Sequence, residues 1–215
     1  MKRTTVIVAM VAVALVAAAG SAFATAGRNV ESTSSDVAWF ADPEAAVGTS
    51  RLVRADDSVL ATLRTSGLAP GDAVTLWWVV FNDPSGCSHA CGEDDIFING
   101  DPTQGFNEGG IAAADIVVGY ADGAVVAPDG RVTLAGSVAE EGAVREIVFG
   151  AAPLLKDVNA AEIHLVVRSH GPALSELLRE QLGSYAGGCE VFLHPPEIPG
   201  ADGECADVQF AIHLP

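Results

Sequence analysis

The sequence predicts a mainly β domain, an antiparallel β-sandwich or barrel carrying one amphipathic α-helix near residues 172–183. The prediction rests on apolar residues that recur at every second position in several short runs, on Gly/Pro turn sequences between those runs, and on a helical period that appears once.

Residues 1–26 carry a basic start at Lys2 and Arg3, an uncharged apolar run from Val6 to Ala19, and small residues at Ala22, Ala24 and Ala26. That order predicts a secretory signal peptide. A membrane-anchoring helix is the rival, but the A-x-A pattern favours cleavage and no basic stop-transfer cluster follows. Beyond it, no segment reaches the roughly 20 apolar residues that span a bilayer. A secreted or periplasmic protein is expected, with no membrane insertion after cleavage.

The polar stretch 27–35 is expected to be flexible, and 36–215 to form a single β-rich domain. Within it, Ser58–Gly67 alternates, with Val59, Ala61 and Leu63 facing one way and Leu60, Thr62 and Arg64 the other. Pro70-Gly71 and Pro128-Asp129-Gly130 predict turns, because proline presets φ and glycine accepts a positive one. Ala73–Asn82 is apolar on both parities, which predicts an interior strand covered on both faces. Residues 83–111 show no period and predict a long loop, of the length that tends to be functional. Residues 114–123 and 131–142 read as two further strands, and Arg145–Asp157 as either a strand end or a short helix.

In AEIHLVVRSHGP, period two separates Ile163, Leu165 and Val167 from Glu162, His164, Val166, Arg168 and His170. The second set predicts a solvated sheet face with Glu162 and Arg168 as an ion-pair lane. Leu174, Leu177, Leu178 and Leu182 then form a helical stripe between Pro172 and Gly183. The tail alternates with Val208, Phe210 and Ile212 expected inward and Gln209, Ala211 and His213 outward, and it is expected to pair beside the His164 segment.

The formal charge of −17 becomes −19 once residues 1–26 leave, since they carry Lys2 and Arg3 and no acid. Such a balance disfavours nucleic acid and anionic membrane surfaces, because like charges would meet, and suits a soluble extracellular or cell-envelope role with an unknown partner there. Four cysteines behind a signal peptide predict two disulfides. Of the three pairings, Cys87–Cys91 and Cys189–Cys205 are favoured because each closes a local loop. The alternative, a zinc site at Cys87, His89 and Cys91, conflicts with an oxidising compartment.

The chemistry on offer is thin. His164 and His170 lie about 20 Å apart on one extended strand, too far to share an ion. Each can join another element, with His194 and His213 as available histidines. His164, His170, Glu162 and Arg168 are the catalytic candidates, an imidazole being the natural acid/base at neutral pH. No nucleophile elbow or phosphate loop is present. In the long loop, Asp83, Glu93, Asp94, Asp95, Asn99 and Asp101 supply hard oxygens of the kind calcium selects, although the EF-hand order is not met. Asp94, Asp95, Asn99 and Asp101 are the calcium candidates. Phe97, Ile98 and Phe106 either face a partner or pin the loop to the core.

GLAPGDAVTLWWVVFN, the CxxxCG at Cys87, AEIHLVVRSHGP, the late cysteine pair and DVQFAIH together resemble a group of uncharacterised secreted bacterial proteins, a likeness that runs from about Ala61 onward and implies no activity. A second likeness, to chordin-type CHRD modules, rests on His164, His170, Gly171, Pro172 and Ala173, though this chain predicts a helix where such modules continue in strand. The expected function is a non-catalytic binding or interaction module that displays the Cys87–Cys91 loop. The alternative is a secreted hydrolase-type enzyme, metal-assisted or not, using His164 or His170.

Overall fold

The computed structural model describes residues 30–189 and 205–215, so the predicted signal peptide and His194 lie outside the described residues. Nine strands form one antiparallel sheet in the order β6-β3-β2-β1-β9-β8-β4-β5-β7. They are β1 (Glu31–Trp39), β2 (Asp42–Arg54), β3 (Ser58–Thr65), β4 (Asp72–Phe81), β5 (Ile116–Val125), β6 (Val132–Ala139), β7 (Ile147–Phe149), β8 (Glu162–Pro172) and β9 (Ala206–His213). Helices α1 (Glu93–Ile96), α2 (Glu108–Ala113) and α3 (Leu178–Gln181) are short.

Alternation decides which face each strand buries. Val59, Ala61 and Leu63 of β3, Val132, Leu134 and Val138 of β6, and Ile163, Leu165 and Val167 of β8 meet in one core with Leu76, Trp78 and Val80 of β4. The sheet curls to enclose that core. Its closure brings β6 against β5, where the Asp122 carboxylate accepts the backbone N–H of Ala135 at 2.9 Å. The result is a sandwich-like, mainly β fold, as the sequence predicts.

β4 pairs with β8 on one side and β5 on the other, and its opposite parity, Trp77, Val79 and Phe81, is buried in a second cluster with Val118, Val166 and Tyr185. A strand that is apolar on both parities therefore has two cores to serve. Residues 83–111 cover this outer face. The segment is not a bare loop, since α1, α2 and three 3₁₀ turns lie between Pro84 and Ala113.

Four expectations differ from what is observed. Residues 31–35, expected to be flexible, are the first half of β1, paired with Arg54 to Ser50 of β2. Their polar side chains tolerate a strand because it is the backbone that pairs. β2 itself has no counterpart in the sequence reading, because its first half is largely exposed and alternation emerges only near Ser50, Leu52 and Arg54. The helix expected at 172–183 is reduced to α3, because Pro172 still pairs with Asp72 at the end of β8. There the buried Gln181 amide donates to the Pro172 carbonyl at 3.0 Å and accepts from Leu174 N–H at 2.9 Å, satisfying backbone groups that a longer helix would have used.

The fourth difference is a face reversal in β9. Gln209, Ala211 and His213 are buried, whereas Ile212 is exposed. Gln209 accepts from Thr65 Oγ1 at 2.8 Å and donates to the Ser66 carbonyl at 3.0 Å, so a polar side chain sits inside at little cost. His213 is held by Ser50 Oγ at 2.7 Å and Thr33 Oγ1 at 2.9 Å. Hydrophobicity alone misassigns a strand whose buried polar groups are all paired.

Candidate functional site

The outward side chains of four adjacent strands make the floor of a cleft. Val79 stands opposite His164, Trp77 opposite Val166, Val166 opposite Phe210, and Val79 opposite Val118, so β5, β4, β8 and β9 contribute in turn. The stapled segment supplies one wall through Ala90, Cys91, Ile96, Phe97 and Pro102, and Phe40, Phe149 and Tyr185 complete it. The space measures about 480 Å³, within the range of small-molecule sites.

What holds the wall in place is local chemistry. Cys87 and Cys91 are disulfide-bonded with Cα atoms 5.1 Å apart. Asp95, buried beneath the turn, accepts backbone N–H groups from Ser88 at 2.7 Å, His89 at 3.1 Å and Gly92 at 3.3 Å. Phe97 and Phe106 form an isolated bridge, and the Phe106 ring lies 4.8 Å from that of Phe149. Phe97 and Phe106 therefore pin the segment to the sheet, while Ile98 remains exposed.

The cleft has a polar end. Arg168 is buried there, donating from Nε to the Tyr185 carbonyl at 3.0 Å and from Nη1 to Asp207 Oδ1 at 2.8 Å. Its guanidinium lies 4.0 Å from the centre of the Tyr185 ring, a cation–π contact. Nη2 has no hydrogen-bond partner among the described residues. At the mouth, burial first and then the charges of Asp207 and Asp94 raise the Glu93 carboxyl above the ordinary range. Burial and Asp207 likewise push the Tyr185 phenol up.

His164 lines the same cleft and bonds Glu162 Oε1 through Nε2 at 2.7 Å, with its ring 4.8 Å from Phe81. The expected Glu162–Arg168 lane is thus absent, because each residue takes a different partner, His164 and Asp207 respectively. Nor is this face solvated: Glu162, Val166, Arg168 and His170 are all buried. The alternation was legible, but the covering segment that turns an outer face into a second interior was not.

The remaining candidates separate. His170 is not among the residues lining the cleft, and has Nε2 on Thr75 Oγ1 at 2.8 Å and Nδ1 on the Gly187 carbonyl at 3.0 Å. His213 points to the opposite side of the sheet from His164, into the hydroxyls of Ser50 and Thr33. The calcium candidates do not gather on one point. Asp95 is spent on the turn described above, Asp101 accepts from Thr103 and Gln104, and Asn99 donates to Gln104 at 3.0 Å. Asp94 is exposed. Among the described residues, the ligand-type side chains that converge are His170, Cys189 and Cys205. Cys189 and Cys205 are disulfide-bonded, with Cα atoms 5.7 Å apart.

No family model, curated protein or solved structure matches the chain. Two disulfides, together with the lack of any helix among the described residues long and apolar enough to cross a membrane, are compatible with an extracellular or periplasmic setting.

Proposed function

We propose that this chain is a secreted or periplasmic binding module that holds a small, largely apolar molecule in the cleft beneath the Cys87–Cys91 segment. The observation that carries the reading is an aromatic-walled space of about 480 Å³ with a single buried cation, Arg168, at one end among its lining residues. Apolar walls supply affinity and one polar end supplies orientation, the usual division of labour in such sites. The predicted signal peptide and the disulfides support the location.

Trp77 lines the cleft, whereas Trp78 lies in the inner core, so ligand entry reports through one indole. The uncharged probe N-phenyl-1-naphthylamine is expected to gain fluorescence on binding, to quench Trp77, and to bind at least tenfold more weakly to Val166→Trp, which fills the floor. Equal binding by that variant, with its fold retained by circular dichroism, overturns the reading.

A second reading has one observation in its favour. His164, held by Glu162, lines the same space, and an imidazole oriented by a carboxylate is the arrangement of a general base that activates water. A hydrolase of this type turns over a p-nitrophenyl ester faster than its His164→Gln variant does. Identical rates remove it.

A further inference from the structure

We propose that Cys189, Cys205 and His170 form a redox-gated site for a soft monovalent cation, Cu(I), that becomes available when the Cys189–Cys205 disulfide is reduced. The Nδ1 atom of His170 lies 3.1 Å from Cys205 Sγ and 3.6 Å from Cys189 Sγ. The donor atoms of the three residues all fall within 4.8 Å of one another. Two sulfurs and one imidazole nitrogen match what a d¹⁰ Cu(I) ion takes in trigonal coordination, and softness of the donors favours it over calcium or magnesium.

Each donor has a backbone anchor besides the disulfide. His170 is on β8, Cys205 directly precedes β9, and the two strands pair at Ser169 and Ala206. Cys189 follows the Gly187–Gly188 turn, where Gly188 has φ +77° and Cys189 N–H donates to the Ala186 carbonyl at 2.7 Å. At Gly187 the backbone passes so close to the Glu180 carbonyl that a Cβ would overlap it. On this proposal, reduction frees two thiols carried by elements that strand pairing and the Gly187–Gly188 turn also hold.

The chemistry balances with a dithiol as reductant. Two electrons and two protons pass from the dithiol to the Cys189–Cys205 bond, giving two thiols and an oxidised cyclic disulfide. Cu(I) then binds both thiolates with release of two protons. In the disulfide form the Gly187 carbonyl requires the His170 proton on Nδ1, leaving Nε2 to accept from Thr75. Metal on Nδ1 moves that proton to Nε2, so Thr75 Oγ1 changes from donor to acceptor toward His170. Thr75 Oγ1 also accepts the Trp77 indole N–H at 2.7 Å. The coordination state is thereby wired to the tryptophan of the cleft.

The test uses the full chain, reduced by a dithiol without oxygen and titrated with Cu(I) against a chromophoric chelator. One equivalent is expected to bind, with a shift of the Trp77 indole proton resonance, and His170→Asn is expected to weaken binding about tenfold or more while removing that shift. The Cys189→Ser/Cys205→Ser double variant, which keeps Cys87 and Cys91, measures the background. The proposal is overturned if reduced protein takes up no more Cu(I) than this variant, if His170→Asn binds as tightly as the parent, or if the reduced chain loses its β-sheet circular dichroism. The cleft proposal does not depend on any of these outcomes, since the probe binds the oxidised protein.

Discussion

His170 and His213 occupy opposite sides of the sheet, yet burial brings the imidazole of each down to about 4. Arg168 adds to the effect at His170, and Arg54 at His213. A folded-state value below the unfolded one means that the unfolded chain binds more protons between the two. The stability that these neutral rings contribute is therefore fully present above pH 6.5 and is lost as pH falls toward about 4. Each contributes at most about 3 kcal/mol by this linkage. Asp72 and Glu93, raised by burial, act in the opposite sense at the acid end. Urea unfolding is expected to show a net loss of several kcal/mol between pH 7 and pH 4.5, with His213→Asn flattening part of the slope; a flat profile in the parent chain contradicts the assignment.

Asp95 poses a simpler test at the same scale. Its carboxylate replaces water for three backbone N–H groups, and a buried acceptor removed from such donors costs about 3 kcal/mol. Asp95→Ala is expected to lower the urea midpoint and weaken probe binding together, because the wall it holds also lines the cleft. Asp95→Asn, which keeps one carbonyl oxygen, is expected to fall between the two. The acidity of this loop was visible in the sequence and suggested calcium. Only the positions of the N–H groups assign Asp95 to the turn.

Among the elements, β9 separates pattern from packing. Ala211 is buried and Ile212 is exposed, so an acid introduced at Ala211 must desolvate while one at Ile212 keeps its water. Ala211→Asp is expected to cost more than 3 kcal/mol and Ile212→Asp under 1 kcal/mol, measured by chemical denaturation. The reverse order restores the faces that hydrophobicity suggested. β3, β4 and β8 were readable because their buried rows are apolar. β9 was not, because Gln209 and His213 find their partners on β1, β2 and the β3 end, elements remote in sequence. α3 shows the same limit, since its leucine stripe has helical spacing but β8 and Gln181 claim the residues before it.

For the molecule as a whole, closure of the sheet depends on small residues where β6 meets β5 and β4. A Cβ on Gly136 would stand 2.9 Å from Ala121 Cβ and 3.1 Å from the Trp78 ring. Gly136→Val is expected to destabilise the fold by about 1–3 kcal/mol, the range for overpacking a tight contact, and to expose Trp78 to quenchers. An unchanged denaturation curve means that the curled sheet does not close there.

The order of residues by itself determined the β class, the alternation of β3 and β8 and the double-sided burial of β4, and it favoured the local pairing of the cysteines among three. Each of these follows from spacing along one chain segment, and spacing needs no other segment to be read. Tertiary structure alone decided that the polar row of β8 is the floor of a cleft, that Arg168 meets Asp207 instead of Glu162, and that His170 lies against two sulfurs. Those are meetings between strands whose neighbours are set by how the whole sheet curls, and a one-residue change in register would have sent every one of those side chains to the other face.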